Sequence, residues 1–131
     1  MTGSIAEKTA LVVNPDVGAL AAFQESLGRH GFMCVVARDL PTALLAMSQH
    51  YFHVAILSSK ISEPGDGWSL AGVLHRLFPS ALITVLAPER SILTLQSAIN
   101  NGVRELFETS ESPQQIVENV VKLCSPTAGV H

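Results

Sequence analysis

Four short stretches hold the side chains best placed to do chemistry: Asn14-Pro15-Asp16, Ser58 to Gly67, Ala87-Pro88-Glu89 and Thr109. A divalent metal site needs several hard oxygen ligands, and a carboxylate nucleophile needs an aspartate or glutamate in the right place. The aspartates are few: Asp16, Asp39 and Asp66 are the whole set. Asp39 is expected to cap a helix, away from the chemistry. Asp66 is expected to sit at another helix start, satisfying free N–H groups. Ser58 has a neutral hydroxyl with no evident base to activate it. Lys60 is read as solvated rather than folded back onto Asp16. Modification of Ser58 or Ser59 by a separate kinase is disfavoured, because both close a strand in a recessed position.

Other constellations do not form a site. Gly65-Asp66-Gly67 opens a helix, but Leu70 fills the last glycine's place in a dinucleotide loop. Asn14-Pro15-Asp16-Val17 is a poor flavin phosphate loop. The histidines, His30, His50, His53, His75 and His131, are scattered and pair with no Cys or acid at ligand spacing. Cys34 and Cys124 lie far apart, outside any CxxC pair. They predict neither a zinc site nor a disulfide framework, and a reducing cytoplasm is the expected compartment. No metal and no cofactor are expected.

The elements that must position these residues alternate along the chain. Residues 1–8 are expected to be flexible, residues 9–124 to form the domain, and residues 125–131 to be a tail or linker. Thr9 to Val13 reads as a first strand, ended by Pro15. Val17 to His30 has helical spacing, and Gly31 stops it. Phe32 to Ala37 is a second strand. Asp39 then caps a helix with Pro41 in its first turn, Ala43, Leu44 and Met47 on one face, and an end near His50. His53 to Leu57 is a third strand. A loop leads to a helix marked by Trp68, Ala71, Leu74 and Leu77 or Phe78. Ala81 to Leu86 is a fourth strand. The next helix is expected over Glu89 to Asn101, with Leu95, Ala98 and Ile99 inward and Leu93 exposed. Glu105 to Glu108 is a fifth strand. Ser112 caps the last helix, with Pro113 first and Ile116, Val117, Val120 and Leu123 inward. Strands 1, 3 and 4 are continuous apolar runs, as in strands covered on both faces. The expected fold is α/β, a flavodoxin-like doubly wound (βα)5 sandwich with parallel sheet order 2-1-3-4-5. Such sheets place their sites at the carboxyl ends of the strands, where the four stretches fall.

Composition narrows the function. The 131 residues suit one domain, with 47% hydrophobic and 15% charged residues. A formal charge of −3 leaves no basic surplus for a phosphate backbone, so nucleic-acid binding by this domain is not expected. No apolar run reaches the roughly 18 residues of a membrane span, and Met1 to Lys8 lacks a signal-peptide core.

The chain resembles a response-regulator receiver domain over about Thr9 to Cys124. "ALVVNPD" resembles the family's first strand, which usually ends in two acids. "FHVAILSSKISEPGDGWSLA" resembles the segment D-L-V-L-L-D-x-x-M-P-x-x-D-G. "ALITVLAPE" resembles the strand ending in Thr or Ser and then Ala, and "GVRELFETSESPQQI" resembles G-A-D-D-Y-L-x-K-P-F-x-x-x-x-L. Gly102 follows Ala87 by fifteen residues, a spacing typical of the family. The resemblance implies phosphoryl transfer from a histidine kinase to an aspartate, with Mg²⁺ held by the two acids. A hydroxyl after the fourth strand and a lysine after the fifth would bind phosphoryl oxygens.

On those positions this chain carries Ser58 for the nucleophile, Asn14 and Pro15 for the acidic pair, Ala87 for the hydroxyl and Thr109 for the lysine. Ser110 replaces the usual proline, Ser62 stands where proline is preferred, and Glu63 to Gly67 is one residue longer. Asp16 is the only acid left near the metal position. The expectation is a pseudo-receiver in bacterial two-component or phosphorelay signalling. It would not be an enzyme, would lack aspartyl phosphorylation, and would act by protein–protein contact. A partner or second copy is expected on the face of the fourth helix, fifth strand and fifth helix, through Leu93, Leu106, Val117 and Val121. Two alternatives stand beside it: a small-ligand sensor using the emptied pocket, and a residual phosphorylation-dependent switch.

Overall fold

The computed structural model describes residues 8–124. Ten elements alternate without exception: β1 (Lys8–Val13), α1 (Val17–Arg29), β2 (Phe32–Ala37), α2 (Leu40–Gln49), β3 (Val54–Ser58), α3 (Asp66–Leu77), β4 (Leu82–Ala87), α4 (Ile92–Asn100), β5 (Glu105–Glu108) and α5 (Pro113–Cys124). All strand pairs are parallel, and the sheet order is β2-β1-β3-β4-β5. The expected fold class is therefore observed. Lys8 is the first residue of β1, so it is not part of a loose leading segment. The rest of the expected flexible start and the expected tail over 125–131 lie outside the described residues.

The central strands explain the two-sided sheet. Side chains alternate across a strand, so an unbroken apolar run feeds two cores. Leu11, Val13, Ala55, Leu57, Ile83 and Val85 join the core under α2 and α3. Their neighbours Ala10, Val12, Val54, Ile56, Leu82 and Leu86 join the core under α1 and α5. Thr84 is the buried polar exception on β4, and its hydroxyl donates to Ala55 O at 3.0 Å.

Caps set most helix starts. Asp16, Asp39 and Ser112 accept from Gly18, Thr42 and Gln115 backbone N–H groups at 2.9, 2.9 and 3.1 Å. α4 departs from the sequence reading. It begins at Ile92 rather than Glu89, because Ser91 and Thr94 form a reciprocal capping box. Its expected inner face also fails: Ala98 is its only buried residue, while Leu95 and Ile99 are 48% and 77% exposed. Leu44 and Leu77 are likewise exposed, with Ala46 and Phe78 taking the inward places on α2 and after α3.

Candidate functional site

The parallel register gathers the four chemistry-bearing stretches at the carboxyl edge. Val13 pairs with Leu57, Ser58 with Leu86, and Ala87 with Glu108. Three backbone bonds then tie each departing loop to the neighbouring strand end. Asn14 N donates to Ala37 O at 3.0 Å, Ser59 N to Leu86 O at 2.8 Å, and Thr109 N to Ala87 O at 2.8 Å. Asn14, Ser58, Ala87 and Thr109 thus belong to one row, as the sequence implied. Asp39 stands at this edge too, just beyond β2, which corrects its expected placement away from the site.

Three polar side chains of this edge, those of Asn14, Asp16 and Ser58, bond the backbone. Asn14 is buried, and its Oδ1 accepts from Asp16 N at 2.9 Å. Asp16 uses its own Oδ1 to cap α1. Ser58 Oγ donates to Lys60 O at 2.8 Å. Ala87 is fully buried and has no polar atom on its side chain. Among the described residues the one ion pair is Arg29 with Glu25, so Lys60 does not pair with Asp16.

Asp66 does something the sequence did not suggest. It is the first residue of α3, yet its carboxylate reaches back to the preceding loop. Oδ1 accepts from Ile61 N at 2.7 Å, and Oδ2 accepts from Ser62 N at 2.8 Å and Glu63 N at 2.9 Å. Burial pushes its carboxyl up, but the amides of Glu63, Ile61 and Ser62 outweigh this and hold it below the ordinary value. The expected role, satisfying the helix's own free N–H groups, is therefore replaced by loop bracing. Gly65 precedes it in the left-handed region, at φ 82°. Gly67 is required by close approach, since a Cβ there would lie 1.9 Å from Ser58 O.

The chain has the receiver-domain fold. Its structural neighbours include a response regulator from Burkholderia pseudomallei with a phosphorylated aspartic acid and a calcium ion. That protein is 23% identical at a TM-score of 0.79, over 93% of this chain and 69% of its own. They also include a CheY-like receiver domain protein from Methanospirillum hungatei, at 19% identity and TM-score 0.81, covering 90% of this chain and 94% of that one. A chemotaxis response regulator of Vibrio cholerae is 16% identical at TM-score 0.80, covering 90% and 99%. No family model and no curated protein matches the sequence.

A receiver site would hold Mg²⁺ on acids beyond β1, and the residues here do not fit that ion. Pro15 brings no ligand, Asn14 Oδ1 is taken by Asp16 N, and one Asp16 oxygen is taken by the α1 cap. Among the described residues no group of three His, Cys, Asp or Glu could hold a metal. No helix among them is long and apolar enough to cross a membrane. Four cavities of about 190 to 590 Å³ lie elsewhere, lined by none of Asn14, Ser58, Ala87 and Thr109.

The expected partner surface needs correction. Leu106 is 5% exposed and Val117 is 0% exposed, so neither presents a side chain to a partner. Val117 packs in the core with α1, and Leu106 lies beneath α4. Val121 is half-buried against that same core. Leu93 is 75% exposed, and the sequence reading missed its companions Ile92 and Ile99, at 76% and 77%. Their signal was available: Ser91 to Val103 contains no charged residue.

Proposed function

We propose that this domain is a pseudo-receiver: a receiver fold that signals by protein contact and does not accept a phosphoryl group. One observation carries the reading. At the carboxyl edge, Ser58, Asn14, Pro15, Ala87 and Thr109 stand where phosphoryl transfer would use an aspartate, two paired acids, a hydroxyl and a lysine, and the side chains of Asn14, Asp16 and Ser58 bond the backbone. Phosphoryl transfer depends almost wholly on positioned charge and metal, so losing all of these groups removes the catalytic route rather than slowing it.

The contact surface in this reading is α4. Ile92, Leu93, Leu95 and Ile99 expose large apolar side chains on one short, uncharged helix. Single exposed leucines are ordinary, but a cluster of four on nine residues is the kind of patch that marks an interaction site. A bacterial cytoplasmic signalling role is part of this proposal. The test is intact mass after incubation with acetyl phosphate and Mg²⁺. The reading expects no stable phosphoryl adduct; an adduct mapped to Asp16 or Asp66 would sink it.

A further inference from the structure

We propose that the opposite, amino-terminal edge of the sheet carries a binding site for a small organic anion with an apolar body. A cavity of about 590 Å³ lies there, within the range of about 300–1,000 Å³ usual for small-ligand pockets. Lys8, His53, His75 and Arg104 line it, and among the described residues no acidic one does. They arrive from four places in the fold: the start of β1, the approach to β3, the end of α3 and the approach to β5. Leu82, Val103 and Leu123 supply the apolar part of the wall.

Two of the four are held in place. His53 Nδ1 accepts from Thr9 N at 3.0 Å, which leaves Nε2 as the ring's N–H donor. His75 packs against Gly102, where an added Cβ would come within 2.4 Å of the imidazole. Gly102 has φ 73°, so a glycine satisfies both the backbone and the ring.

The bland account is that these cations only offset helix ends. α3, α4 and α5 all finish at this edge, and each end carries roughly −0.5 charge. Lys8 and Arg104 bring two full positive charges without any contribution from the imidazoles. The balance favours an anion. Two Lys and Arg in a concave site suit one small ligand better than a nucleic-acid backbone, which needs an extended basic surface. This site is independent of the carboxyl edge and of α4.

The experiment is an amide-resolved titration of the full chain with phenyl phosphate, run beside benzyl alcohol as an uncharged probe. Saturable shifts are expected at His53, Gly102 and Arg104, with half-saturation below about 1 mM and no response at Ser58 or Ala87. Lys8→Gln with Arg104→Gln, both at exposed positions, should weaken binding by about tenfold. No saturable shift, an equal response to benzyl alcohol, unchanged affinity in the double variant, or shifts at Ser58 instead would each overturn the site.

Discussion

At Asp66 a single carboxylate braces three successive loop amides, those of Ile61, Ser62 and Glu63. Its pKa is held low in the fold, so its contribution is present above the ordinary value of 3.8 and is lost as pH falls through the lowered one. Asp66→Asn should lose about 1–2 kcal/mol at neutral pH in urea unfolding, with the gap to the parent narrowing below that ordinary value. A constant gap across pH would mean the carboxylate's charge does not matter. Gly67→Ala is a harsher change. The added methyl has to displace the Ser58 carbonyl, which is backbone, so a loss of about 3 kcal/mol or more is expected in the same assay. The residue scale was partly legible. The sequence marked Asp66 as a helix-start acid, but which amides it serves depends on a loop path that no spacing rule encodes. Cys34 shows the same limit: burial pushes its thiol up to about 11, which makes it inert at neutral pH, and nothing in its neighbours along the chain says so.

At the scale of elements, α4 is where the sequence reading and the structure diverge most. Leu95, Ala98 and Ile99 have the spacing of an inward face, yet only Ala98 is buried. The helix lies over β5, the short edge strand of four residues, and a cavity of about 190 Å³ remains between them. Periodicity reports which side of a helix is apolar; it does not report whether enough sheet lies beneath to cover it. α5 has that cover: of its expected inward set, Ile116, Val117 and Val120 are buried, and Leu123 near the helix end is half-buried. Two measurements follow. Leu93→Ser and Ile99→Ser should shift stability by no more than about 0.5 kcal/mol each, because both side chains are already in water. Ile116→Ala should cost about 2–5 kcal/mol. Thermal melts of the three variants separate a contact helix from a core helix. If Leu93→Ser destabilised the fold as Ile116→Ala does, α4 would be core and the contact proposal would lose its surface.

For the whole molecule, strand order and layer plan were legible because unbroken apolar strands admit few solutions: a parallel sheet covered on both faces by right-handed crossovers. The carboxyl edge was legible in residue type for the same reason, since Asn14, Ser58, Ala87 and Thr109 had to follow strands that end together. The amino edge was not legible. Lys8, His53, His75 and Arg104 are far apart in sequence and meet only once the sheet has formed. The central claim is that the receiver fold here has lost recognition of a phosphoryl group. The most direct measurement is an amide NMR titration of the full chain with Mg²⁺ and then with beryllofluoride, a mimic of aspartyl phosphate. No saturable shift at Asn14, Asp16, Ser58, Ala87 or Thr109 is predicted in either step. Saturable shifts at those amides that require both additions would contradict it, and would return Asp16 and Asp66 to the list of candidate acceptors.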